Sequence, residues 1–236
     1  NMKLFNNAMT SIGNQEVKPD SVLIVTPKGS DVYKKLKDMD LTSHGVKTTI
    51  LENPGGTDFS SQVNYGVSQC KTEWFSILEF DDEYSSKWFK NVVKYKEAHK
   101  DVDVFMPIII DVNQKDGSFM GLTNEAVWAN SFSDELGVLD NNALLSFQNF
   151  NIDGITMKTE AFNESGGLKS NIKLTFIYEF LLRITFKDQK VMVIPKLGYK
   201  HLNQRPDSLF VKYKEEMDPV EANLWLAQAK KEYYFD

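Results

Sequence analysis

Residues 76–84, S-I-L-E-F-D-D-E-Y, constrain this chain more than any other stretch. The run before the acids, residues 74–78, is short, aromatic and aliphatic, the pattern of a strand buried in a core. Glu79, Asp81, Asp82 and Glu83 follow at once. Carboxylates crowded at the end of a buried strand repel one another and lose hydration. A divalent cation relieves both penalties, because hard cations take carboxylate oxygens. One reading is therefore an acidic metal site at the carboxyl end of a parallel strand, where open α/β sheets hold their ligands. The other is a solvated acidic turn that caps a helix starting near Ser85.

The rest of the chain alternates strand and helix signals. Leu4, Phe5, Ala8, Met9 and Ile12 recur at helical spacing. Strands are expected over residues 22–25, 48–51, 74–78, 102–110, 150–157 and 191–194. Helices are expected over 32–39, 59–68, 88–99, 174–185 and 219–234. This order predicts an α/β fold with a mixed, mostly parallel sheet flanked by helices. Residues 113–142 are rich in Gly, Asn, Ser and acid and read as one long irregular segment, a lid or a disordered stretch. Trp128 and Phe132 within it either line an acceptor site or pin the segment to the core.

Composition excludes several classes. At 236 residues, with 42% hydrophobic, the chain is long enough for one domain with a real core. A net charge of −6 with no basic run argues against nucleic acid as a partner. The one cysteine, Cys70, rules out an internal disulfide framework and fits a reducing, cytoplasmic setting. No apolar run reaches membrane-spanning length, and no signal peptide is visible.

Five segments in order carry a resemblance. They are L-F-N-N-A-M-T-S-I-G-N-Q with K-P-D-S-V-L-I-V, then N-P-G-G-T-D-F-S-S-Q-V-N-Y-G-V, L-E-F-D-D, F-N-E-S-G-G-L, and Y-K-H-L-N-Q-R-P-D-S-L. Together they resemble the family 2 glycosyltransferases of GT-A fold over nearly the whole chain. The resemblance implies one GT-A-like domain over residues 1–236, with a nucleotide-sugar half (1–112), an acceptor half (113–217) and a terminal helix (218–236). It implies sugar transfer from a nucleotide-diphosphate donor to a glycan or other hydroxyl acceptor. It also implies dependence on Mn²⁺ or Mg²⁺ and inversion by single displacement. Glu79 takes the first acidic place of the family's metal motif.

By the same resemblance, Asp82, Asp81 and His201 are the metal ligands, and Asp81 or Glu79 faces the ribose. Thr26 stands where the family meets the base, and Asn64 lies on the glycine-led helix of the nucleotide half. Arg205 and Lys200 are candidate phosphate contacts, and otherwise a solvated basic turn. His201 is otherwise a surface histidine paired with Asp207. Glu179, among Phe176, Tyr178, Phe180 and Leu181, is the candidate general base, since an apolar setting weakens a carboxyl's acidity. Its alternative is a surface i,i+4 ion pair with Arg183.

Three departures from the family stand out. Nothing before the first expected helix, which carries residues 4–12, supplies the family's first strand, so residues 22–25 and 74–78 are expected to flank a gap or a strand borrowed from elsewhere. The chain is accordingly expected to lack its true start. The loop after Val25 reads Thr26-Pro27-Lys28 instead of carrying an acid. Only Glu179 precedes Arg183, where the family has an E-D pair. Two rival functions remain open: a non-catalytic nucleotide- or sugar-binding module of the same fold, and a sugar-phosphate nucleotidyltransferase.

Overall fold

The helical spacing of Leu4, Phe5, Ala8, Met9 and Ile12 produces α1 (Met2–Gly13), which buries all five. The computed structural model describes residues 2–125, 137–203 and 215–232. After α1 come β1 (Ser21–Pro27), α2 (Asp31–Lys37), β2 (Lys47–Asn53), α3 (Phe59–Ser68), β3 (Trp74–Ser76) and β4 (Glu83–Tyr84). Then follow α4 (Trp88–Ala98), β5 (Val104–Asn113), β6 (Phe119–Thr123), β7 (Val138–Leu139) and α5 (Asn141–Ser146). The chain continues through β8 (Thr156–Lys158), α6 (Thr159–Glu164), α7 (Phe176–Phe186), β9 (Val191–Asn203) and α8 (Pro219–Glu232).

The main sheet has the order β3-β8-β5-β9-β4, with β6 on β5 and β7 on β9. β5 and β9 are parallel, and β8 lies antiparallel between β3 and β5. So β3, β5 and β9 share one direction, as the strand–helix alternation predicts. The short strands β4, β6 and β7 all pair antiparallel, which makes the sheet more mixed than expected. They are two to five residues long, too short to leave a periodic signal. Both faces of the sheet are buried. Val104 and Met106 of β5 join one core cluster, while Phe105 and Ile109 join the other. Alternate residues of the strand's apolar first half therefore feed opposite cores. The two halves expected from the sequence share this sheet, because β5 from the first pairs with β9 from the second.

β1 and β2 form a separate parallel pair. β1 and β3 are not hydrogen bonded to each other. Between them lies a groove of about 1710 Å³, lined by Val22 and Ile24 of β1, Trp74 and Ser76 of β3, Phe5 and Met9 of α1, and Val63 of α3.

Three segments depart from the expected pattern for local reasons. Residues 113–142 are partly regular, since the side chains of Asn113 and Asp116 turn the β5–β6 hairpin by accepting from Lys115 N and Ser118 N, each at 2.9 Å. Trp128 and Phe132 lie outside the described residues. Of residues 150–157, only the last two fall in a strand, because the chain turns at Asp153-Gly154. β9 continues nine residues past Ile194. Pro195 and Gly198 hid that continuation, since proline has no ladder donor and glycine no side chain to pattern. The β5–β9 register shifts between Met106 and Ile109, opposite this stretch.

Gly198 is fixed by space. A Cβ there would clash with the ring of Trp88, which is fully buried, and lie 2.7 Å from Pro107 Cβ. We expect Gly198→Ala to cost about 1–3 kcal/mol by overpacking, read as a lower urea midpoint at unchanged slope; an unchanged midpoint would show that α4 does not pin β9 here.

Candidate functional site

The end of β3 is built by its neighbours. Ile77 N donates to Ile155 O (3.2 Å) and Gly154 N to Ile77 O (3.1 Å), so the β3–β8 ladder runs one step past Ser76. The chain then turns, with Asp82 N donating to Glu79 O at 3.2 Å and Glu79 N to the Tyr199 hydroxyl at 3.1 Å. Leu202 N on β9 donates to Asp82 Oδ1 at 2.8 Å. Asp81 and Asp82 are 6% and 1% exposed, so the solvated-turn reading does not hold. Among the described residues, Asp82 Oδ2 is buried with no hydrogen-bond partner.

Two further elements deliver groups to this point. Gly154 has φ +73°, and a Cβ on it would lie 2.7 Å from the Tyr199 ring. Only glycine fits that turn, and the turn returns Asp153 toward β3. Asn151 Nδ2 donates to Asp153 Oδ2, and buried Asn124 holds the loop by accepting from Asn151 N (2.9 Å) and donating to Pro107 O (2.9 Å). On β9, His201 Nδ1 lies 2.8 Å from Asp111 Oδ1, across the paired strands. Asp111 Oδ2 accepts from Thr123 Oγ1 at 2.8 Å. One donor atom each from Asp82, Asp153 and His201 lies within 4.8 Å of the other two. Glu79, Asp81, Asp82, Asp111, Asp153 and His201 all line the groove between β1 and β3.

Burial dominates the electrostatics. It raises the Asp82 carboxyl to about 8, helped by the charge of Glu79. Asp153 is held well above the usual carboxylate range by burial, then by Glu79 and Asp82. Burial pulls His201 down, but its hydrogen bond to Asp111 and the charges of Asp82 and Asp153 outweigh it and hold the ring up at about 9. The cluster thus keeps protons on groups that would shed them in water.

The other expected site residues divide. Glu79 and Asp81 reach the groove, but Asp81 is not among the three whose donor atoms converge. Thr26 is buried, with its hydroxyl donating to Leu51 O at 3.4 Å, and does not line the groove. Asn64 is spent on structure. Its Nδ2 donates to Leu168 O (2.8 Å) and its Oδ1 accepts from Leu168 N (2.9 Å), which ties α3 to the Gly166-Gly167 turn. Both ends of the amide are used, so the nucleotide-contact reading of Asn64 is corrected. Lys200 pairs with Glu83 at 2.8 Å. Arg205 and Asp207 lie outside the described residues; His201 pairs with Asp111.

Glu179 also needs correction. It is fully buried, with its carboxylate bound by Arg183 Nε (2.7 Å) and Nη2 (3.0 Å) and by Lys169 Nζ at 3.3 Å. Arg183 in turn donates to Ser165 O and to Gly167 O (2.7 Å). The pair is i,i+4 as the spacing allows, but it is interior, and Glu179 is not a groove residue. An acid whose oxygens are taken by two cations is not placed to remove a substrate proton.

Asp153 and Asp111 reach the candidate site, although the sequence reading gave neither a place at the metal; it held Asp153 only as a substitute for Glu179 as base. Each left a signal. Asp111 ends the apolar run I-I-I-D, as Glu79 and Asp82 end L-E-F-D-D, and Asp153 breaks an apolar run just before a glycine.

A mixed sheet flanked by helices, with carboxylates and an imidazole gathered at strand ends beside a groove, defines an α/β protein of GT-A type. The sequence profile of glycosyl transferase family 2 matches residues 7–166, more than half of the chain, and the chain belongs to that family. Solved structures agree on the fold. S. aureus TarS 1–349 superposes with a TM-score of 0.60 at 14% identity, over 85% of this chain and 57% of that one. The same protein in complex with UDP gives 0.62 at 12% identity, over 99% and 68%. In complex with UDP-GlcNAc it gives 0.63 at 12%, over 96% and 68%. The chain thus spans between about half and two thirds of the TarS 1–349 chains it matches. No curated protein sequence matches significantly. No helix among the described residues is long and apolar enough to cross a membrane.

Two expectations follow. An unfolded aspartate loses its proton near 3.8 and an unfolded histidine near 6.5, whereas Asp82 and His201 keep theirs to about 8 and about 9. Folding therefore takes up protons in that range, and the stability these groups add is lost as pH rises through it. The Tm of the metal-free protein should fall from about pH 6 to about pH 9, and Mn²⁺ should flatten the slope; a Tm that rises over this range would contradict the buried cluster. Glu179→Gln leaves the Arg183 charge buried with half its partner gone. It should cost about 3–5 kcal/mol in denaturant unfolding; full stability with a loss confined to kcat would restore the catalytic reading.

Proposed function

We propose that this chain transfers a sugar from a nucleotide-diphosphate donor to an acceptor hydroxyl, with Mn²⁺ or Mg²⁺ held at Asp82 and His201. The observation that carries the reading is the buried Asp82 Oδ2, without a partner among the described residues, beside the His201 ring at the end of a large groove. The residues fit a divalent cation. Carboxylate oxygen suits both ions, and imidazole favours Mn²⁺. Membership of family 2 supports glycosyl transfer. The TarS structures with UDP and UDP-GlcNAc support a uridine diphosphate sugar as the donor class.

When bound, the cation neutralises the diphosphate leaving group. The chain's own residues do the rest. With Asp111 accepting from His201 Nδ1–H, Nε2 is left with its lone pair for a cation. Glu79 and Asp81 face the groove, where they offer acceptors to the ribose hydroxyls. Arg205 stays our candidate for the phosphates. The Gly166-Gly167 turn, clamped by Asn64 and Arg183, presents a rigid acceptor side. Transfer of a hexosyl group with inversion, by single displacement, needs only these elements and a base.

Glu179 no longer supplies that base, and this favours a second reading, a nucleotide-sugar-binding module without turnover. Donor turnover with Mn²⁺ separates the two. We expect Asp82→Ala to lose metal-dependent binding of uridine diphosphate by about 10–100-fold or more in calorimetry. Wild-type affinity in that variant would overturn the metal assignment.

A further inference from the structure

Asp82, Asp153 and His201 come from three separate places: the turn after β3, the loop before β8, and the far half of β9. Their convergence within 4.8 Å is a product of the fold, not of one acidic segment. Each is aimed by its own support. Asp82 is clamped by Leu202 N, with Oδ2 left buried and, among the described residues, unpartnered. His201 has Nδ1 engaged by Asp111, which leaves Nε2 for the cluster. Asp153, 2% exposed, is set by the Gly154 turn and by Asn151.

Two carboxylates and an imidazole make a net charge that one divalent cation neutralises, and three protein donors leave room on an octahedral ion for phosphate and water. A carboxylate behind the histidine is the usual device for fixing a metal-bound imidazole. A single carboxylate would need the nucleotide's phosphates to hold the ion. Three preset donors do not.

We propose that Asp153 is a direct metal ligand, completing with Asp82 and His201 a site that binds Mn²⁺ before any nucleotide arrives. The inference rests on the reading above that Asp82 holds a divalent cation. It adds a ligand and an order of binding: cation first, diphosphate second.

The test is titration of the nucleotide-free protein with Mn²⁺, following free Mn²⁺ by its electron paramagnetic resonance signal. Wild type should take up one ion per chain, and Mn²⁺ alone should raise its Tm by mass action. Asp153→Asn preserves shape and removes charge. It should weaken Mn²⁺ uptake by at least about tenfold while keeping the far-ultraviolet circular dichroism of the wild type. Should that variant not fold, Asp153→Ser is titrated in its place. Absence of nucleotide-free Mn²⁺ binding in wild type overturns the proposal, as does wild-type binding in both Asp153 variants. A loss of sugar transfer in Asp153→Asn with Mn²⁺ uptake unchanged also overturns it, and points to Asp153 as an acid or base instead. The underlying reading fails separately: it falls if Asp82→Ala keeps metal-dependent uridine diphosphate binding, whatever Asp153 does.

Discussion

The parallel pairing of β5 with β9 sets where chemistry can occur in this chain. Up to Met106 and Val193 the two strands run in simple register, and both faces are core. Opposite Pro195 and Gly198 the register shifts, and beyond it Asp111 pairs with His201. A slip of one residue would turn the histidine to the other face of the sheet. It would lose Asp111 behind it, and Leu202 N would no longer meet Asp82. Trp88, packed into the space that Gly198 leaves open, holds the shifted portion in place. The site therefore depends on a packing contact on the far side of β9 as much as on its own acids.

Much of the fold was legible because long buried strands and amphipathic helices write their period into the sequence. The acid-ended strand at L-E-F-D-D was legible for the same reason, since charge at the end of an apolar run is costly without a purpose. Asp153 was harder. Its run, F-N-I-D-G-I-T-M, reads as one strand, and only the left-handed turn at Gly154 shows that the acid lies outside the ladder. Asp111 was hidden differently. Its role depends on a pairing some ninety residues away in sequence, which no local pattern encodes. The β9 strand itself was cut short in the reading by a proline and a glycine that serve as a bulge.

Asn64 and Glu179 show the opposite error, in which a polar residue in an apolar setting was given to function. Both support the same feature. Asn64 spends its amide on Leu168, and Arg183 spends its guanidinium on Ser165 and Gly167. The Gly166-Gly167 turn has carbonyls that point inward, and buried carbonyls need donors. An arginine meets two of them at once but brings a buried charge. Glu179 is then required to balance that charge, with Lys169 at its edge. The acid follows from the arginine, and the arginine from the turn.

The chain thus buries charge in two ways, and the difference between them separates scaffold from site. Around Arg183 the positive groups meet their acid and their carbonyls, and every partner is supplied by the protein. A buried pair of that kind is balanced, and its removal from one side is costly. Around Asp82 the balance is missing among the described residues. There Glu79, Asp82 and Asp153 face a single imidazole, and Asp82 and Asp153 hold protons that they would shed in water. A cluster held at that cost is not explained by stability, because apolar residues would pack there more favourably. It is explained if a cation takes the protons' place. The same low dielectric that penalises the empty cluster then strengthens its hold on a divalent ion. The groove beside it would leave such an ion open to the phosphates of a nucleotide-sugar donor.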